Sequence, residues 1–149
     1  TRVLSMEKFH IGYLKNALQP GEMVIEVQVP QPKQGSGGGF GKFERTAADL
    51  PIVNACVRMA LAKNGSVDDV AIAVGAATAA GVPVRATAAE QIVAGKRMDA
   101  ALVSEAAKAA GTIACVADFR ASAKLRGLWV NCAVEDAMNK ALAHARTGA

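Results

Sequence analysis

Hydrophobic and polar positions alternate from Glu22 to Val29, with Met23, Ile25, Val27 and Val29 set against Val24, Glu26 and Gln28. A period of two specifies a half-buried β-strand, and Pro30 and Pro32 stop it because proline cannot donate to a sheet ladder. Gly35 to Gly39 then reads as a flexible hairpin connection and Phe40 to Arg45 as a second strand. Ile52 to Leu61 makes a third strand, whose inward face is Val53, Ala55, Val57, Met59 and Leu61. Asn64-Gly65 is a strong hairpin turn, and Val70, Ile72 and Val74 mark a fourth strand. Connections this short leave no room for crossover helices, so the sheet is expected to be antiparallel.

After Val84 the composition turns to helix formers. Thr87 and Glu90 have the spacing of a capping box, and Gly95 offers a left-handed stop to one short helix. Asp99 can cap a second helix that ends near Gly111. Ser122 can cap a third and longest, with Leu125, Trp129, Cys132, Ala133, Ala137 and Ala141 on its inward stripe and Asn131, Glu135 and Asn139 opposite. Strands first and helices afterwards predict an α+β fold, an antiparallel sheet of three or four strands followed by a three-helix bundle. One domain is expected, with residues 1–21 leading in, 22–84 forming the sheet and 85–149 helical.

Composition narrows the function classes. A chain of 149 residues can bury one sizeable core, and the 52% hydrophobic content is largely alanine, so its helices should pack closely through small side chains. Four Phe, one Tyr and one Trp are too few to stack single-stranded nucleic acid, and the net charge of +4 is spread along the chain; no nucleic-acid partner is expected. Without a long apolar run, and with no signal-peptide core in TRVLSMEKFH, a soluble cytoplasmic protein with no membrane partner is expected. Cys56, Cys115 and Cys132 are odd in number and lack the C-x-x-C spacing of a metal site, so they read as buried, reduced thiols. Residue 1 is Thr, and the chain reads as cut from something longer.

Few residues carry chemistry by themselves. Ser36 to Phe43 suggests a phosphate loop, but the first glycine of that motif would fall on Ser36, and Phe43 occupies the position that needs a hydroxyl for magnesium. His10 and His144 lack helical metal-ligand spacing, and Ser, His and Asp stand in no nucleophile-elbow context. Asp68-Asp69 and Glu135-Asp136 are adjacent pairs that point to different faces, while Asp136 with Lys140 is an exposed i, i+4 ion pair. No catalytic and no metal-ligating residue is predicted. Lys42 points away from Phe43 on its strand, and Val24 is the apolar residue on an otherwise polar strand face, so both can meet something other than the core; each is also explicable as a solvated or peripheral residue.

One longer pattern is more specific. Phe9-x-x-Gly12-Tyr13-x-Lys15-x-x-Leu18-x-Pro20-x-Glu22, the alternating strand, and Lys42-x-x-Arg45-x-x-x-Asp49 together resemble the C-terminal domain of the FAD-carrying medium subunit of molybdenum hydroxylases, the family of carbon monoxide and xanthine dehydrogenases. The resemblance continues through Gly81-x-Pro83-x-Arg85, Ala89-Glu90-x-x-Val93-x-Gly95 and Asp118-x-Arg120-x-Ser122-Ala123-x-x-Arg126, with Leu125 departing from the family's usual Tyr. It implies an oxidoreductase subunit that passes electrons between iron-sulfur clusters and an external acceptor through FAD. The implied partners are an iron-sulfur subunit and a molybdenum subunit carrying the molybdenum cofactor. It further implies that Val24 and Lys42 lie near the flavin ring, where an ammonium favours negative charge. The family's FAD pyrophosphate is held by glycine-rich loops of an N-terminal domain that these residues do not contain, so the isolated chain is expected to be inactive. The rival readings are a non-catalytic assembly domain that docks the other subunits and an unrelated small-ligand-binding α+β protein.

Overall fold

The structure, a computed structural model, describes residues 1–147. Its elements run α1 (Met6–Phe9), β1 (His10–Gly12), β2 (Lys15–Asn16), β3 (Ser36–Phe43), β4 (Val53–Leu61), β5 (Val67–Gly75), β6 (Val84–Arg85), α2 (Thr87–Val93), α3 (Ala100–Ala110) and α4 (Ala123–Thr147). β3 to β6 form one antiparallel sheet in sequence order, while β1 and β2 pair in a separate ribbon. This is the expected α+β arrangement. The helices share one core with the sheet: α4 lies on β3 and β4, and α3 packs between α2 and α4.

The alternation in β4 is borne out, since Val53, Ala55, Val57 and Met59 are fully buried. The β4–β5 turn is formed by Asn64 and Gly65, with Gly65 at φ +80 and the Asn64 carboxamide oxygen accepting from the Ser66 N–H at 3.0 Å. Asp99 caps α3 by accepting from the Leu102 N–H at 2.8 Å, and Ser122 Oγ accepts from the Leu125 N–H at 3.2 Å. Gly95 supplies the left-handed residue after α2, at φ +73.

Four sequence readings are corrected. First, the glycine run is not a loop. It is the first half of β3, paired residue for residue with β4, Gly37 opposite Met59 and Gly39 opposite Val57. Gly37, Gly39 and Gly41 share the face under α4, where a Cβ at any of them would overlap the backbone of Ala141, Ala137 or Ala133. Glycine is required here by a distant contact, which local composition does not reveal. Second, Glu22 to Val29 belongs to no strand, and all of its residues are exposed.

Third, the inward stripe of α4 is turned from the one predicted. Its buried positions are Arg126, Val130, Ala133, Val134, Ala137, Met138, Ala141, Leu142 and Ala145, whereas Leu125 and Cys132 are exposed. Trp129 is half-buried and stacks parallel on Phe43, with ring centroids 5.9 Å apart. An arginine on the buried stripe displaced the phase. Fourth, Thr87 and Glu90 make no capping box, because the helix begins at Thr87 with Ala86 as its cap, one residue too early for the Thr hydroxyl to serve. Glu90 instead accepts from the Ile72 N–H and from Arg85 Nε, both at 2.7 Å, joining α2 to the sheet.

The cysteines differ from expectation as well. All three are free, but Cys56 and Cys132 are exposed and Cys115 only half-buried, where burial pushes its thiol pKa up. Cys56 occupies the position between the buried Ala55 and Val57 and therefore turns to the other face of β4.

Candidate functional site

α4 covers one face of the four-stranded sheet and leaves the other open. Strand register places Lys42 opposite Asn54 and Asn54 opposite Gly75; the next row is Phe40, Cys56, Ala73 and Arg85, and the one after it Gly38, Arg58 and Ala71. Most of this face is therefore small, with Phe40, 51% exposed, and the cationic residues standing above it. At Gly75 an added Cβ would meet the Asn54 carboxamide oxygen, the end of the neighbouring side chain.

Lys42 lies on this open face. Phe43 turns the other way, towards Trp129 on α4. The Lys42 ammonium is ion-paired with Glu44, and both side chains are about three-quarters buried, at 28% and 22% exposure. The pair follows from strand alternation, since positions 42 and 44 share a face; that period-two signal was legible in the sequence and not used. Phe40, two residues before Lys42, is on the same face by the same rule and was equally overlooked.

Val24 is elsewhere. It lies in the segment after β2, 51% exposed. It lines an open hollow of about 820 Å³ with Leu4, Phe9, Met23 and Ile25, in which Lys42 takes no part. The two sequence-predicted site residues are thus on separate parts of the chain.

Further along the open face, the Arg58 guanidinium bridges to Asp69 at 2.7 Å and holds that carboxyl below its ordinary range. The edge strand β3 is closed by α4: His144 Nδ1 lies 2.6 Å from the Gly38 carbonyl, and Lys140 donates to the Phe40 carbonyl at 3.1 Å. Among the described residues there is no cluster of three or more His, Cys, Asp or Glu side chains able to hold a metal. No helix in them is long and apolar enough to cross a membrane.

The chain belongs to the CO dehydrogenase flavoprotein C-terminal domain family, whose model matches residues 39–141. It is 30% identical to the 6-hydroxypseudooxynicotine dehydrogenase complex subunit alpha of Paenarthrobacter nicotinovorans, over 97% of this chain and 49% of that one. It is 24% identical to the carbon monoxide dehydrogenase medium chain of Afipia carboxidovorans, over 97% of this chain and 50% of that one. The solved carbon monoxide dehydrogenase of Hydrogenophaga pseudoflava, lacking the Mo-pyranopterin moiety of its molybdenum cofactor, superposes with a TM-score of 0.83 at 29% identity, over 92% of this chain and 47% of that one. The chain spans about half the length of the curated relatives it matches.

Proposed function

We propose that this chain is the C-terminal half of the FAD subunit of a molybdenum-containing hydroxylase, and that its open sheet face covers the flavin ring. The observation that carries the reading is that face itself: a floor of small residues left bare by the helices, with Lys42 at its edge and Phe40 beside it. A planar ring needs a flat, close approach with few side chains in the way, and these residues fit one. They fit no pyrophosphate. Ser36 to Phe43 is an extended strand whose N–H groups alternate in direction, so they cannot converge on an anion as those of a phosphate loop do.

The pyrophosphate is therefore assigned to an N-terminal FAD-binding domain supplied by the rest of the subunit. FAD bound there would supply two-electron acceptance and release, connecting the iron-sulfur subunit, and through it the molybdenum subunit, to an external acceptor. This chain's own residues set the electrostatics and exclude water. Lys42 favours negative charge on the ring, and Glu44 moderates it by pairing with the same ammonium. Val24 reaches the ring region only where the segment carrying it docks on the other half.

The test is a pair of substitutions with opposite signs in the intact flavoprotein. Lys42→Met removes the cation and leaves Glu44 unpaired, so the flavin reduction potential should fall by tens of millivolts; Glu44→Gln frees the ammonium and should raise it by a similar amount. Substrate oxidation at molybdenum with an acceptor that bypasses flavin should be unchanged in both. Identical potentials in wild type and both variants, each folded and fully flavinated, would remove Lys42 from the flavin site.

A further inference from the structure

The cationic side chains of the open sheet face are each answered by an acidic one. Lys42 pairs with Glu44, Arg58 with Asp69 and Arg85 with Glu90, the last two at 2.7 Å. Asn54 is not answered. It stands half-buried in the middle of the row Lys42, Asn54, Gly75, and among the described residues no protein group hydrogen-bonds its carboxamide. A carboxamide carries two N–H donors and a carbonyl acceptor, and all of that capacity is left for whatever covers the face.

Its neighbours on the two adjacent strands set how it lies. On β5 the neighbour is Gly75, itself buried, and the carboxamide rests over it: the space a Cβ would take at Gly75 holds the Asn54 oxygen, with the Asn54 nitrogen 3.6 Å away. On β3 the neighbour is Lys42, whose ammonium is turned to Glu44. The carboxamide therefore lies low against the sheet, at the border of the floor made by Gly38, Cys56, Ala71 and Ala73. A planar ring laid on that floor meets Asn54 edge-on.

We infer that Asn54 is a flavin-binding residue that holds the pyrimidine edge of the ring, its N–H donating to a ring carbonyl and its oxygen accepting from the ring N3–H. That edge carries an N–H between two carbonyls, and it is the part of the isoalloxazine whose donor and acceptor spacing matches a carboxamide. Lys42, in the same row, then stands beside the N1 and C2 carbonyl region where negative charge collects on reduction, so one row of the sheet both orients the ring and tunes it. The inference rests on the reading above that the open face covers a flavin, and it deepens that reading by assigning the edge of the ring that is turned to β4.

The test uses the intact subunit, stripped of FAD and reconstituted with FAD or with its N3-methyl analogue, in which a methyl group replaces the N3 hydrogen. The wild type should bind the analogue about tenfold or more weakly than FAD, the loss expected when a paired donor is removed and its partner left unsatisfied. In Asn54→Ala the ratio of the two dissociation constants should fall to near one, because the N3–H then has no partner to lose. Gly75→Ala keeps Asn54 but puts a Cβ where the carboxamide rests, in backbone without positive φ that alanine can adopt, and should lower the ratio as well. A wild-type ratio in both variants, with the flavin potential still responding to Lys42→Met, overturns the Asn54 contact and leaves the flavin reading intact; so does a wild type that binds the two flavins equally. A wild-type ratio in both variants, together with potentials that respond to neither Lys42→Met nor Glu44→Gln, removes the functional reading with it.

Discussion

At Gly39 a single hydrogen atom sets how closely α4 approaches the sheet. The Ala137 carbonyl occupies the space a Cβ would need, and Gly37 and Gly41 repeat the arrangement one step along the strand each way. Gly38, between them, faces the open side, where an added Cβ meets nothing nearer than the Val57 carbonyl at 4.0 Å. Gly39→Ala should therefore push the helix off the strand and cost about 1–3 kcal/mol, the range for overpacking a fitted interior. Gly38→Ala should be neutral or stabilise by up to about 1 kcal/mol, because it restricts only the unfolded chain. Denaturant unfolding of the two variants measures both, and equal effects would mean that α4 does not sit on the glycines. The same contact explains why the alanine content of α4 matters: Ala133, Ala137, Ala141 and Ala145 are all buried, and larger residues there would lift the helix as surely as a side chain on β3.

Between elements, the joint that matters is buried Arg126. Its Nη1 donates to the carbonyls of Ile52, at the start of β4, and Ala76, just after β5, both at 3.0 Å, while Nη2 reaches Asp118 at 2.6 Å. One side chain on α4 thus fixes two strand ends and the loop leading to its own helix, and it holds Ala76 at φ +60, a conformation non-glycine residues seldom adopt. The Asp118 carboxyl is held far below the usual carboxylate range, first by Arg126 and then by the N–H groups of Arg120 and Ala121. Because the folded-state value is depressed, the pair stabilises the fold above the unfolded pKa of about 3.9, and that contribution is lost as pH falls below it. Asp118→Asn should be less stable than wild type at pH 7, with the gap closing as unfolding is measured from about pH 4 downward. Parallel pH profiles would place Asp118 outside the joint. This joint also marks the limit of what the sequence discloses. β4, β5 and the starts of α3 and α4 were legible because alternation and capping are local signals. β3 and the phase of α4 were not, since an arginine inside and glycines in a strand are explained only by partners roughly 75 to 100 positions away.

Across the whole molecule, the apolar surface is divided between a closed core and an open arm, and the two candidate site residues are split between them, Lys42 on the sheet and Val24 on the arm. The core is satisfied within residues 39–147, whereas the arm carries Val24 and a row of exposed aliphatic residues. The open-face position of Lys42, and by the same alternation that of Glu44, was legible in the sequence; the bare floor beside them became visible only when four strands were assembled. That assembly is a surface and not a pocket. A flat face can gain stacking and one charge interaction with a flavin, but association costs at least about 4 kcal/mol of lost translational and rotational freedom, which a few contacts on an open face offset poorly. The glycine segment cannot cradle a pyrophosphate, because it is committed to β3 and its N–H groups alternate in direction along the strand. The 149-residue chain alone should therefore bind FAD no tighter than the high-micromolar range, measured as quenching of flavin fluorescence in a titration, while the intact subunit retains it through purification. Stoichiometric submicromolar binding to the chain alone would mean that the sheet face is a complete site, and the division of labour between two halves would have to be abandoned.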